Sequence, residues 1–207
     1  KFIVGDMPFL AARKGLKEAM DGVQQLMQAG AHSVKIEGEK GQVELMAHIV
    51  DSGVPVMGHL GLTPQSVHGL GGHKVQGKAE AEARALVDAS RRLQDAGCFA
   101  LVLEGVPDAV ARMVTAALDI PTVGIGAGPG CDGQVLVYHD VLGFEDRMAP
   151  KFVRRYADLG SQSVEAISAF AADVRSGAFP GPEETYHLSR GEAEALALYG
   201  SSRGSGS

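Results

Sequence analysis

The stretch AHSVKIEG at Ala31–Gly38 predicts a buried strand that ends in two charged residues. Side chains on a strand point alternately to opposite faces, so Val34 and Ile36 point one way and Lys35 and Glu37 the other. Because a strand packed between helices buries both faces, an ammonium and a carboxylate come to lie inside the protein. Such charges need a metal, an anion or each other as partners. The pair is therefore either a structural ion pair or part of a site.

Predicted strands and helices alternate along the chain about six times. The predicted strands are Phe2–Asp6, Ala31–Gly38, Val54–His59, Phe99–Glu104, Pro121–Gly126 and a sixth at Gln134–Tyr138. The predicted helices between them are Lys14–Ala29, Gln42–Asp51, Glu80–Ala96 and Pro107–Leu118, and a further helical region runs from about Lys151 to Arg175. Three helices end in Ala-Gly or Ser-Gly, which suits a left-handed cap. This alternation with short turns predicts an α/β fold with a parallel sheet or a (β/α) barrel.

Polar residues stand at the carboxyl ends of the predicted strands, where barrels carry their active sites. They are Asp6, Lys35 with Glu37, His59, Glu104, and His139 with Asp140. Asp6 and Glu37 are candidate magnesium ligands, because hard cations prefer carboxylate oxygens. Lys35 suits neutralisation of a substrate carboxylate, and Glu104 suits removal of a proton beside a metal-polarised carbonyl. The predicted chemistry is enolate formation from an α-keto acid, followed by making or breaking a carbon–carbon bond.

Each of these residues also has a structural interpretation. Asp6 suits a helix N-cap, Glu104 a structural acceptor, and His59 a hydrogen-bonded core histidine. The remaining histidines near the strand ends are more typical of solvent-facing positions; they are His68, His73 and His139.

Two connections depart from the short pattern. Leu60–Lys78 is long and glycine-rich, which is typical of a lid or binding loop, although a disordered insertion has the same composition. GIGAGPG at Gly124–Gly130 lacks the G-x-G-x-x-G spacing, because Cys131 stands where the last glycine should be. These glycines are better explained by close backbone approach at the mouth of a barrel.

Composition narrows the functional class. The 207 residues carry a net charge of −6 and contain no basic run, so the sequence lacks the basic pattern typical of nucleic-acid-binding proteins. No apolar run approaches the ~20 residues of a membrane helix, and the N-terminal residues do not resemble a signal peptide. The two cysteines, Cys98 and Cys131, are not spaced like the ligands of a metal site. They suggest a protein of the reducing cytoplasm, and both thiols are expected to be buried. We expect a catalytic domain over residues 1–187 and an extension over 188–207 that ends in linker-like or tag-like SSRGSGS.

Six ordered segments carry a family resemblance. They are DMPF at Asp6–Phe9, VKIEG at Val34–Gly38, PVMGHLGLTPQSV at Pro55–Val67, GGHKVQG at Gly71–Gly77, VLEGVP at Val102–Pro107 and IPTVGIGAGPGCDGQVLVYHD at Ile120–Asp140. PKFVRRYADLG at Pro150–Gly160 adds support. From residue 1 to about 187 the chain resembles the ketopantoate hydroxymethyltransferases, enzymes of pantothenate biosynthesis.

The resemblance implies a (β/α)8 TIM barrel of the phosphoenolpyruvate/pyruvate superfamily. It implies transfer of a hydroxymethyl group from 5,10-methylenetetrahydrofolate to 3-methyl-2-oxobutanoate, an α-keto acid, giving 2-dehydropantoate through a Mg²⁺-stabilised enolate. By the family's pattern Asp6 and Glu37 match metal ligands, Asp6 and Lys35 match substrate contacts, and Glu104 matches the proton acceptor. His59 lies near the pocket. A cytoplasmic homo-oligomer, a decamer in the family, is also implied.

The chain departs from the family at its start. Family members begin with two more β/α units, which bring an Asp–Ser pair that binds metal and substrate, and six strands cannot close an eight-stranded barrel. An unclosed sheet exposes two edges. The chain is therefore a fragment, or the missing units come from elsewhere, or its six units are arranged differently. Two other functions stay open: a magnesium-dependent carbon–carbon lyase or mutase of the isocitrate lyase type, and a catalytically inactive truncated barrel.

Overall fold

A computed structural model describes residues 1–69, 72–144 and 150–201, with side chains as far as residue 197. The described residues fall into two compact units, the first over residues 1–69, 72–141 and 150–154 and the second over residues 142–144 and 155–201. Two residues of the long loop, Leu70 and Gly71, lie outside the described residues, as does the linker-like sequence after Ser201. The expected domain boundary after residue 187 stays a prediction.

The first unit is built on a six-stranded parallel sheet. Its strands are β1 Val4–Asp6, β2 Ser33–Glu37, β3 Val56–Gly61, β4 Ala100–Glu104, β5 Thr122–Ile125 and β6 Gly133–Gln134. They pair in chain order, β1 to β6. A doubly wound sheet would reverse its strand order at a switch point, and this one does not. The sheet is that of an incomplete (β/α)8 barrel, so the alternative of a different arrangement of the six units is wrong.

Helices follow most of the strands. They are α1 Leu16–Gln28, α2 Val43–Asp51, α3 Glu80–Asp95, α4 Asp108–Ala116 and α5 Tyr138–Leu142, and the second unit adds α6 Leu159–Ser176 and α7 Arg190–Ser201. The predicted glycine caps are confirmed, because Gly30, Gly53 and Gly97 have φ of 102°, 88° and 89°. None of the described helices combines the length and apolar content needed to cross a membrane.

The core lies on one face of the sheet. Side chains no more than 1% exposed come from alternate strand positions and from the helices; they include Val34, Ile36, Met46, Ile49, Leu93, Leu101 and Leu103. Full burial of such a side chain contributes about 1.5–3 kcal/mol. Because these residues occupy every second strand position, the intervening positions of the same strands face the opposite side, which is free for polar groups.

The structure corrects three expectations. The sixth strand is only Gly133–Gln134, because its pairing ends where Gly124 meets Gln134 and β5 stops one residue later. His139 and Asp140 therefore lie in α5 and not at a strand end. The helix expected from about residue 151 begins at Leu159, since residues 150–158 form turns and irregular chain.

Candidate active site

Five polar residues lie on one face of the sheet at the carboxyl ends of β1 to β4. The strand register pairs Asp6 with Lys35, Glu37 with His59, and Gly61 with Glu104. Lys35 and Glu37 are two residues apart on β2, as His59 and Gly61 are on β3. Alternation along each strand therefore puts all five side chains on the same face, opposite the apolar core.

Lys35 lies at the centre of this group. Its Nζ is 2.9 Å from Asp6 Oδ2, 3.2 Å from His59 Nδ1 and 3.9 Å from Glu37 Oε1. The Lys35 side chain is 18% exposed, while Asp6 is 52% exposed and Glu37 only 6%. The buried Lys–Glu strand end expected from the sequence is therefore present, and the closest partner of the lysine is Asp6. Asp6 caps no helix here, but pairs with this ammonium.

His59 is buried between Lys35 and Glu104. An ammonium only donates hydrogen bonds, so His59 Nδ1 accepts from Lys35 and a neutral ring carries its proton on Nε2. That nitrogen is 3.2 Å from Glu104 Oε2, at an angle outside hydrogen-bond geometry, and it has no other partner in the described structure. The buried N–H is thus directed to the space beside Glu104, where a bound molecule or a small rotation of Glu104 would satisfy it.

Glu37 is held from two sides. Its Oε2 accepts the backbone N–H of Gln65 at 3.0 Å, and its Oε1 lies 3.7 Å from His59 Nδ1. A cavity of about 80 Å³ adjoins it, lined also by Phe9, Leu10, Arg13, Gln65 and Ser66. The role of Gln65 was not predicted, because its contacts come from a turn distant in sequence. Its place within the quoted GHLGLTPQSV segment was the only signal for it.

The segment after β3 is anchored to β4. Leu62 N–H donates to the carbonyl of Glu104 at 2.7 Å, and Gln76 N–H donates to the carbonyl of Gly105 at 2.9 Å. Both ends of the predicted loop are therefore fixed beside Glu104. The other histidines play no part in this site: His68, His73 and His139 are exposed, as expected.

The donor set fits a hard cation. Three carboxylates, from Asp6, Glu37 and Glu104, face one lysine and one histidine, so the ionised site carries excess negative charge. Within the described residues no three His, Cys, Asp or Glu side chains are arranged to hold a metal ion by themselves. Magnesium commonly takes only one or two protein carboxylates and fills its shell with substrate and water. Asp6 and Glu37 can supply those two.

A family model described as ketopantoate hydroxymethyltransferase matches residues 1–182. The chain belongs to the ketopantoate hydroxymethyltransferase family. The resemblance carried by the sequence motifs is thereby confirmed, and the family is one of enzymes.

Relatives of this family align over nearly the whole chain. The 3-methyl-2-oxobutanoate hydroxymethyltransferase of Bdellovibrio bacteriovorus is 52% identical over 186 residues, which are 90% of this chain and 71% of the relative. That of Syntrophotalea carbinolica is 50% identical over 89% of this chain and 70% of the relative. The chain therefore spans about seven tenths of these ketopantoate hydroxymethyltransferases.

A solved structure supports the fold. The crystal structure of a phosphonopyruvate hydrolase matches with a TM-score of 0.50 and 13% identity, over 98% of this chain and 69% of that one. At this identity the likeness concerns the fold alone. It agrees with the incomplete barrel formed by the described strands.

Proposed function

We propose that this chain catalyses transfer of a hydroxymethyl group from 5,10-methylenetetrahydrofolate to 3-methyl-2-oxobutanoate, giving 2-dehydropantoate. Family membership supports the reaction class. The observation that carries the proposal is the convergence of Asp6, Lys35, Glu37, His59 and Glu104 on one face of four adjacent strand ends. These residue types match the needs of proton removal next to a ketone in an anionic substrate.

In this mechanism Lys35 binds the carboxylate of the keto acid. Its ammonium is already held between Asp6 and His59, so its position is set before substrate arrives. A preorganised charge of this kind stabilises an anion without reorganising during the reaction. We therefore assign orientation and charge neutralisation of the substrate to Lys35.

Glu104 removes the proton from C3 of the substrate. The C–H electron pair moves toward the ketone oxygen and gives an enolate. Water adds to the methylene carbon of the folate co-substrate, both C–N bonds of that carbon break, and tetrahydrofolate leaves with the one-carbon unit released as formaldehyde. C3 of the enolate then bonds to the formaldehyde carbon, and its oxygen takes the proton held by Glu104 to become the hydroxyl group. The buried N–H of His59, 3.2 Å from Glu104, limits where this carboxylate can lie.

Mg²⁺ is part of this proposal, with Asp6 and Glu37 as its protein ligands. When bound there, the ion would polarise the ketone of the substrate and acidify the neighbouring carbon. Glu37 suits this role because one oxygen is fixed by the Gln65 amide while the other faces the site.

A transfer assay tests the proposal. The folded chain is supplied with 3-methyl-2-oxobutanoate, 5,10-methylenetetrahydrofolate and Mg²⁺, and 2-dehydropantoate is measured. We expect product, and a loss of at least about 100-fold in Lys35→Met and Glu104→Gln. Lys17→Met, which alters an exposed lysine on α1, should keep the wild-type rate. A folded chain that makes no product would favour the inactive truncated barrel.

We also propose a cytoplasmic location and a homo-oligomeric state. Cys98 and Cys131 are both free thiols, which is typical of proteins from a reducing compartment. The resemblance to the ketopantoate hydroxymethyltransferases implies a homo-oligomer. Light scattering of the purified chain would test the second point, and a mass of a single chain at micromolar concentration would contradict it.

A further inference from the structure

Gln65 links three strand ends of the candidate active site. Its backbone N–H donates to Glu37 Oε2 at 3.0 Å, at the end of β2. Its side-chain Nε2 donates to the carbonyl oxygen of Met7 at 2.8 Å, one residue beyond Asp6 and β1. Gln65 itself follows β3. One half-buried residue therefore connects both proposed metal-binding strand ends.

The turn that carries Gln65 is held in place. Pro64–Ser66 forms a single 3-10 turn, closed by Ser66 N–H to the carbonyl of Thr63 at 2.8 Å. Upstream of the turn, Leu62 N–H donates to the carbonyl of Glu104. The proline also fixes its own φ. The bond between the Gln65 side chain and the carbonyl of Met7 ties the turn to the end of β1 as well.

The amide of Gln65 determines how Glu37 is oriented. While Oε2 accepts that N–H, Oε1 stays 3.9 Å from Lys35 Nζ, which is too far for a hydrogen bond. Freed from the amide, the carboxylate can rotate to pair directly with Lys35. That pair would occupy both the ammonium needed for substrate and the oxygen needed for a cation.

We propose that Gln65 is a positioning residue of this site. Its side chain fastens the Pro64–Ser66 turn to Met7, so that its own N–H holds Glu37 away from Lys35. The consequence for catalysis rests on the proposed function, whereas the positioning of Glu37 does not.

The test compares Gln65→Met with Gln76→Met. Methionine matches glutamine in length but donates no hydrogen bond, and among the described residues the side chain of Gln76 donates to the carbonyl of Lys74, two positions away. Hydrogen exchange of the residue 65 amide, followed by NMR, should accelerate about fivefold or more in Gln65→Met. It should be unchanged in Gln76→Met. If Gln65→Met does not fold, Gln65→Asn replaces it, since its amide is one methylene too short to reach Met7.

Kinetics separate positioning from a merely structural role. In the transfer assay Gln65→Met should raise KM for the keto acid roughly tenfold or more, because the released Glu37 pairs with the Lys35 ammonium that binds the substrate. In a Glu37→Ala background the same substitution should cause no further loss, since the two residues act together.

Two results would overturn the inference: unchanged exchange of the residue 65 amide in Gln65→Met, or full additivity of Gln65→Met and Glu37→Ala. A wild-type chain without transferase activity would refute the proposed function but leave the amide exchange to decide the role of Gln65.

Discussion

Cys98 and Cys131 differ in environment although both are free thiols. Burial raises the pKa of the Cys98 thiol to about 11, so about one molecule in a thousand carries the thiolate at pH 8. Cys131 is partly exposed. We expect an aromatic disulfide reagent at pH 8 to modify one thiol rapidly and the second only after unfolding. Cys131→Ser should abolish the rapid phase, whereas Cys98→Ser should keep it; the reverse assignment would contradict this account.

The hydrogen bonds of Asp132 predict that the free energy of unfolding depends on pH. The backbone N–H of Thr122, and then its hydroxyl, hold the pKa of the Asp132 carboxyl below its ordinary value of 3.8. A carboxyl whose pKa is lowered by folding stabilises the protein above the unfolded-state pKa, and this contribution disappears as pH falls through the folded-state pKa.

The measurement is the free energy of unfolding of wild type and Asp132→Asn between pH 7 and pH 2. The variant should be less stable at pH 7, and the difference should shrink below pH 3.8. Asp95→Asn, an exposed carboxylate of α3, controls for loss of one charge. A difference that stays constant with pH would argue against the bond to Thr122.

At the residue scale, alternation along β2 was enough to place Lys35 and Glu37 on one face. Their partners were less predictable. Lys35 is closest to Asp6, a contact that depends on the register between β1 and β2. The Gln65 contact depends on a turn after β3, and sequence periodicity gives no information on where such a turn lies.

At the element scale, β3 ends in a glycine that is required both by its backbone conformation and by close packing. Gly61 has φ of 91°, and a Cβ there would collide with the carbonyl of Glu104. Gly30 has φ of 102° but open space around it. Gly61→Ala should therefore lower the free energy of unfolding by about 2–4 kcal/mol, from backbone strain plus overlap, and Gly30→Ala by about 1 kcal/mol, from backbone strain alone.

Urea denaturation of both variants measures this difference. If Gly61→Ala proved no more destabilising than Gly30→Ala, the approach of β3 to Glu104 would be wrong. If Gly61→Ala is the more destabilising variant, a glycine is needed where β3 approaches the backbone carbonyl of Glu104, the proposed base.

Most elements were predictable because their apolar spacing and glycine caps agree. The exceptions are informative. Val135–Val137 continues the apolar pattern of β6, yet the strand ends at Gln134. Val135 N–H still donates to the carbonyl of Gly124 at 3.0 Å, but β5, the neighbouring strand of the described sheet, ends at Ile125. Lys151–Ala157 has helical composition but forms turns, with Phe152 packed against Gly126. In both places long-range contacts outweigh local preference.

At the scale of the whole molecule, the described sheet has two edge strands, β1 and β6. The chain spans about seven tenths of its named relatives. The strand ends that carry the five polar residues are nevertheless contiguous, from β1 to β4. The central claim is that these four ends suffice to remove a proton from the substrate.

Deuterium exchange at C3 of 3-methyl-2-oxobutanoate tests that claim most directly, because it requires proton removal and no folate. The folded chain, Glu104→Gln and the surface control Glu165→Gln are incubated with the keto acid and Mg²⁺ in deuterium oxide, and loss of the C3 proton signal is followed by NMR. We predict exchange by wild type and Glu165→Gln, and a rate at least about 100-fold lower in Glu104→Gln. Exchange that persists in Glu104→Gln, or its absence from a folded wild-type chain, would contradict the assignment of this site.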